Sequence, residues 1–266
     1  MSGTEIRLAQ LFNPDSGRSF ITAFDHGQSL PMPASSGNPM DLLAKIIEGG
    51  PEGVLVNPGI LRQGSVLFAR RGGPVPVLRA DWCFLDETDK QELGERYRVL
   101  TSPSEALALG AGAICMYLIL NPTDGQMFAD NVSAVATAAH EARRVGMPLI
   151  VEGTLWGLRN TDRKDPELLA KVNRIAVEMG ADAIKTEFTD AETMPRIIET
   201  CGDVPVLTLG GAKGDASAVE AAAQGAIAAG AKGLIFGRNV WNTDDPVAAT
   251  RTLSAITHGP VAGGQS

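Results

Sequence analysis

Ala181-Asp182-Ala183-Ile184-Lys185-Thr186-Glu187 is a short apolar run with a lysine in its middle. Its inner part, 183–187, is one of eight such runs; the others are 20–24, 53–57, 75–79, 113–118, 149–152, 204–209 and 233–237. All are rich in Val, Ile, Leu and Ala without strict polar alternation, which is how strands buried on both faces of a parallel sheet read. Between them lie amphipathic stretches, 130–145, 165–179, 191–200 and 216–229, long enough to be crossover helices. Strand and helix alternating eight times predict an α/β fold closed into a (β/α)8 TIM barrel. A doubly wound open sheet is the competing arrangement, but no Gly-x-Gly-x-x-Gly turn follows the first run.

With 266 residues, 44% of them hydrophobic, the chain can fill one large core. One barrel domain is expected over 1–258, with a disordered tail at 259–266. The net charge of -8 argues against a nucleic-acid partner, which selects basic faces, so an anionic substrate must be caught by a local pocket. Cys83, Cys115 and Cys201 lack metal-type spacing and read as buried, reduced thiols. Residues 1–10 show no charged-then-apolar leader pattern, and no stretch approaches the ~20 apolar residues of a membrane span, so a soluble cytoplasmic protein without a membrane partner is expected. The segment 28–41, with Pro31, Pro33 and Pro39, reads as a long loop or lid after the first strand. The charged stretch 86–100 is expected to cover the same mouth.

In a barrel the side chains at the C-terminal strand ends converge on one site, so polar residues that end apolar runs are the ones to read for chemistry. Asp25 and His26 end the first run, Asn57 the second, Arg79 and Asp81 the third. Tyr117 falls within the fourth, Glu152 ends the fifth, and Lys185 and Glu187 end the sixth. A lysine inside a buried strand is unfavourable unless it is paired or neutral, and the neutral amine is a nucleophile. Pairing with a carboxylate such as Glu152 is the plain alternative, and with carboxylates at several strand ends the two readings ask for the same geometry. Glu152 is either the partner that neutralises Lys185 or a proton shuttle beside it. Asp25 either assists at the substrate or forms the turn before Gly27. His26 reads as a hydrogen-bonded structural imidazole, with direct catalysis as the alternative, and with Arg79 and Asp81 it is assigned to the substrate-binding set.

The last two runs lead into Gly210-Gly211-Ala212-Lys213 and Gly237-Arg238. Loops seven and eight are the usual phosphate site of this fold, and glycines there expose backbone N–H groups. Together with Lys213 and Arg238 they suggest a handle for an anion; tight turns with solvated charges are the alternative.

Taken together, Phe24-Asp25-His26-Gly27, the 181–186 stretch, Gly210-Gly211-Ala212-Lys213 and Gly237-Arg238-Asn239-Val240-Trp241 resemble the archaeal-type class I fructose-bisphosphate aldolases over most of the chain. The resemblance implies a Schiff-base lysine at Lys185, an aspartate acting near the substrate at Asp25, and phosphate contacts from Gly210, Gly211, Gly237 and Arg238. The fifth strand departs from that pattern: where those aldolases carry a Trp-x-Tyr pair, this chain reads Glu152-Gly153-Thr154-Leu155-Trp156. A glutamate there is similar to the tagatose-bisphosphate and sulfofructose-phosphate class I aldolases, and Tyr117 is the phenol available from strand four. Arg79-Ala80-Asp81-Trp82 is also unlike the family's third strand, which implies a different distal end of the substrate.

The expected activity is therefore a metal-independent, cofactor-free class I aldolase acting on a phosphorylated sugar, in a homo-oligomer. A lysine-dependent transaldolase or retro-Claisen acyl transferase is the nearest alternative. A metal-dependent aldolase would have to recruit Asp25, His26, Asp81 and Glu152, which form no compact ligand motif. A non-catalytic sugar-phosphate binder would need no buried amine.

Overall fold

Alternate residues of a strand face opposite ways, and in each of the eight runs both faces are apolar. A computed structural model, which describes residues 2–33 and 36–260, resolves this into two cores. Eight parallel strands close into a barrel: β1 (Ser19–Phe24), β2 (Gly53–Val56), β3 (Val75–Arg79), β4 (Ala113–Ile119), β5 (Leu149–Thr154), β6 (Ala183–Glu187), β7 (Val206–Leu209) and β8 (Gly233–Phe236). Each pairs with its sequence neighbours, and β1 closes the ring on β8. The inner core is Ile21, Ala23, Leu55, Val77, Ala113, Cys115, Ile150, Ala183, Leu207 and Ile235, closed at the N-terminal end by Leu11. The intervening residues, such as Phe20, Val54, Leu78, Ile114, Val151, Ile184 and Leu234, face the helices in the outer core.

This period of two places the chemistry. Following each inward series toward the strand C-termini leads from Ala23 to Asp25, from Val77 to Arg79 and Asp81, and from Cys115 to Tyr117. It also leads from Ile150 to Glu152, and from Ala183 to Lys185 and then Glu187. In register, Tyr117 lies beside Glu152, Glu152 beside Lys185, and Lys185 beside Leu207.

Some boundaries differ from the sequence reading for local reasons. The helix expected from 130 starts earlier, as Gly125–Val145, because Asp124 caps it by accepting from the Gln126 N–H. The helix expected from 191 is Met194–Thr200, because the Asp190 carboxylate takes the Glu192 and Thr193 N–H groups into a preceding turn. Strand β7 begins at Val206 because Pro205 has no N–H to give a ladder. The stretch expected as a lid contains the start of helix Pro39–Glu48, with residues 34–35 outside the described residues. Of the expected tail, 261–266 lie outside them as well. Among the described residues no helix is long and apolar enough to cross a membrane. Cys83, Cys115 and Cys201 are free and buried.

Between β3 and β4 the chain makes a hairpin, Asp81–Cys83 with Tyr97–Val99, enclosing helix Glu87–Leu93. Two buried charges anchor it over the barrel mouth. Lys90 donates to the Trp156 carbonyl at 2.8 Å, and the Glu95 carboxylate accepts from Thr123 Oγ1 at 2.6 Å and from the Leu158 N–H at 2.9 Å. The charged 86–100 stretch thereby braces the loops that follow β4 and β5.

Candidate active site

Arg79 ends β3 with a side chain that is 0% exposed, a position that is tolerable only if its charge is paired. Its Nε donates to Asp25 Oδ2 at 2.8 Å, its Nη2 donates to Glu152 Oε2, and its Nη1 lies 3.6 Å from Asp81 Oδ1. The ring of Tyr117 packs against the guanidinium, 3.8 Å from its carbon to the ring centroid. Glu152 Oε2 in turn lies 2.9 Å from Lys185 Nζ. Strands β1, β3, β5 and β6 thus supply one buried charge cluster in which Glu152 is shared by two cations.

The cluster has two cations, Arg79 and Lys185, and three carboxylates, Asp25, Asp81 and Glu152. Burial alone would raise the Asp25 carboxyl, but Arg79, His26 and Lys185 outweigh it and hold the group at about 2. Burial raises Asp81 to about 7 against the opposing pull of Arg79 and of the Tyr117 N–H, which donates to its Oδ2 at 2.6 Å. Asn57 holds the Asp25 backbone by donating from Nδ2 to its carbonyl at 2.9 Å. On the outer face Thr186 Oγ1 donates to the Gly153 carbonyl at 3.2 Å and accepts from Asn173, which pins β5 to β6 and so Glu152 to Lys185.

Lys185 and Glu152 form the floor of a cavity of about 500 Å³ at the C-terminal mouth. Its other side is the pair of glycine loops, with Gly210, Gly211, Gly237 and Arg238. Gly211 has φ of 64°, which a glycine adopts freely. A Cβ on Gly237 would lie 2.3 Å from the His26 ring and 2.8 Å from the Ala23 carbonyl, so only glycine lets β8 turn here. Asn239 ties the two loops together, donating to the Gly210 carbonyl at 2.7 Å and accepting from the Gly214 N–H at 2.9 Å. Arg238 Nε is buried without a hydrogen-bond partner among the described residues. His26 lines the same side; burial lowers its imidazole to about 4, with Asp25 opposing, so the ring is neutral near pH 7.

Several assignments change on this geometry. Arg79 and Asp81 were expected to bind substrate, but both are fully buried and outside the cavity lining, so they act on other side chains. Tyr117 was expected as a catalytic phenol; it is sealed between Arg79 and the Trp156 ring, and burial pushes its hydroxyl well above the usual tyrosine range. Lys213 lines recesses on the outside of loop seven, not the cavity. His26, Glu152, Lys185, Gly210, Gly211, Gly237 and Arg238 line one cavity, while Asp25 is joined to Glu152 and Lys185 only through the buried Arg79 cluster. Glu187, Trp156, Arg163 and Lys164 also line the cavity and were not assigned a role from sequence. Of these, only Glu187 sits in a strand, where the inward period marks it; the others lie on an aperiodic loop. Among the described residues no group of three His, Cys, Asp or Glu side chains is arranged to hold a metal ion. Asp25, Asp81 and Glu152 converge instead on a guanidinium. A larger recess of about 750 Å³ lies at the opposite end, against Arg7, Phe12 and Val75, far from these groups.

Residues 19–243 match the family model described as DeoC/LacD family aldolase, and the chain belongs to that family of enzymes. It is 30% identical to an uncharacterized aldolase of Saccharolobus solfataricus, over 97% of this chain and 95% of the relative. It is 31% identical to the 3-hydroxy-5-phosphonooxypentane-2,4-dione thiolase of Yersinia pseudotuberculosis, over 96% and 82% respectively. Among solved structures it is similar to an archaeal fructose 1,6-bisphosphate aldolase, with TM-score 0.83, 27% identity, and coverage of 97% of this chain and 100% of the other. It is similar too to an archaeal fructose-1,6-bisphosphate aldolase whose catalytic lysine is covalently bound to the carbinolamine intermediate, with TM-score 0.81, 26% identity, and coverage of 97% and 100%. The scaffold is that of the class I, Schiff-base aldolases.

Proposed function

We propose that this enzyme cleaves or forms a C–C bond in a phosphorylated ketose through an imine on Lys185. The observation that carries the reading is the placement of Lys185 Nζ 2.9 Å from Glu152 Oε2 on the floor of a cavity whose far side is lined by Gly211, Gly237 and Arg238. The neutral amine of Lys185 attacks the ketone carbon, and Glu152 accepts and returns protons at nitrogen and at the departing carbinolamine oxygen. Arg79 keeps Glu152 aimed at Lys185, and Asp25 holds the same guanidinium from behind the cavity floor. The substrate phosphate lies against the loop-seven and loop-eight amides, with the Arg238 side chain at the same side of the cavity.

Acyl transfer on the same lysine is the second reading, favoured by the 31% identity to a thiolase. Incubation with fructose 1-phosphate, fructose 1,6-bisphosphate and tagatose 1,6-bisphosphate, with and without coenzyme A, separates the two. Triose products independent of coenzyme A are expected. Turnover of 3-hydroxy-5-phosphonooxypentane-2,4-dione that requires coenzyme A, with the ketose phosphates left intact, would replace the aldolase reading by acyl transfer.

A further inference from the structure

Glu187 lies two residues beyond Lys185 on the inward face of β6, so its Cα is roughly 7 Å nearer the mouth along the strand. It is 8% exposed and lines the same cavity as Lys185 and Arg238. Its surroundings differ from those of Glu152. Glu152 is 1% exposed and is held by two cations on the cavity floor, whereas no ion pair within 4.0 Å joins Glu187 to another described residue. The groups that act on Glu187 are Lys164 and the Trp156 indole from the loop after β5, Glu152 from β5, Lys185 from β6 and Arg238 from the loop after β8. Burial raises its carboxyl above the usual glutamate range, with Lys164 and Trp156 opposing. Two carboxylates in one site with different environments are suited to different proton transfers.

We propose that Glu187 is a further catalytic residue: the base that takes the proton of the substrate hydroxyl β to the imine carbon, while Glu152 serves the protons at nitrogen. This rests on the Lys185 imine proposed above. In cleavage, the Glu187 carboxylate accepts the hydroxyl proton as the hydroxyl oxygen becomes a carbonyl. The bond between the α and β carbons breaks, its electron pair forms the double bond between the α carbon and the former imine carbon, and the C=N π pair moves onto nitrogen, turning the iminium into an enamine as the aldehyde departs. Glu187, now protonated, returns that proton to the enamine α carbon, which regenerates the iminium and the carboxylate. Glu152 and water then release the ketone from Lys185. A group at the floor serves the nitrogen and a group one inward position higher serves the hydroxyl, matching the extension of the substrate chain from the imine toward the mouth.

The test separates imine formation from bond cleavage. Wild type, Glu187→Gln and Glu152→Gln are each treated with borohydride in the presence of dihydroxyacetone phosphate, which can form the imine without cleavage. Each is also assayed for cleavage of fructose 1-phosphate, fructose 1,6-bisphosphate and tagatose 1,6-bisphosphate. Glu187→Gln is expected to trap to within about twofold of wild type while cleavage falls by roughly 10²–10⁴. Glu152→Gln is expected to lose both. Retained trapping also reports an intact barrel, and Glu187→Asp should recover part of the cleavage rate. Glu187→Gln cleaving within about threefold of wild type, or losing trapping and cleavage alike, overturns this assignment alone. A wild type that neither traps nor cleaves any of these compounds overturns the imine reading and this assignment with it.

Discussion

The two sides of the cavity are built from opposite materials. Strands β1, β3, β5 and β6 contribute ionised side chains whose partners are other side chains of the barrel. Strands β7 and β8 end in glycines and contribute backbone, braced by Asn239. The first side pairs its charges within the protein. The second includes a buried donor, Arg238 Nε, with no hydrogen-bond partner among the described residues. Under the proposed function, reaction and grip would be divided between the halves of one barrel, and substitutions on the two sides should fail in different ways.

The largest effect is expected at Arg79. Arg79→Met leaves three buried carboxylates without their common cation, and loss of one partner of a buried ion pair costs about 3–5 kcal/mol. Denaturant unfolding should show this, with Arg196→Met as the contrast. Arg196 pairs with Glu167 at 2.5 Å on the exposed surface, where removal is expected to change stability by about 0.5 kcal/mol or less. An Arg79→Met barrel as stable as wild type would mean that the cluster is not charged as described.

On the other side, Arg238→Ala should leave the barrel stable and act on binding. A charged hydrogen bond is worth about 1.5–3 kcal/mol, so KM for a ketose phosphate should rise by roughly 10- to 100-fold with kcat less affected. An unchanged KM would take the phosphate away from these loops.

A smaller, pH-dependent effect sharpens the charge balance. The Asp81 carboxyl titrates at about 7 in the folded protein, above its unfolded value of ~3.9. The folded state therefore holds a proton that the unfolded chain has released, and this group lowers stability as pH rises from about 4 to about 7. Asp81→Asn removes that slope. Between about pH 4 and about pH 7 the wild type should lose stability relative to the variant, and parallel pH profiles would count against a protonated Asp81.

The fold was legible because eight buried strands repeat one pattern, and the inward period of two carried Asp25, Glu152 and Lys185 directly to the site. What an arginine ending a strand meets is less legible. Arg79 pairs with Asp25 and Glu152, which are 54 and 73 residues away in the chain, so the same residue reads as a substrate ligand until the strands are assembled. Tyr117 has the right inward phase, but phase does not reveal which ring is covered by a guanidinium. Lys213 follows Gly211, and the direction of a loop depends on a φ of 64° and on Asn239 rather than on periodicity. Trp156, Arg163 and Lys164 went unassigned because the loop that carries them has no repeat to mark its inward side.

The central claim is that Lys185 forms a covalent imine. Its most direct test is the intact mass, followed by peptide mapping, of protein treated with borohydride and dihydroxyacetone phosphate. The expected result is inactivation together with one reduced adduct on the peptide containing Lys185, absent in a folded Lys185→Met variant that no longer cleaves ketose phosphates. An adduct mapping elsewhere, or a Lys185→Met enzyme that cleaves at the wild-type rate, would contradict it.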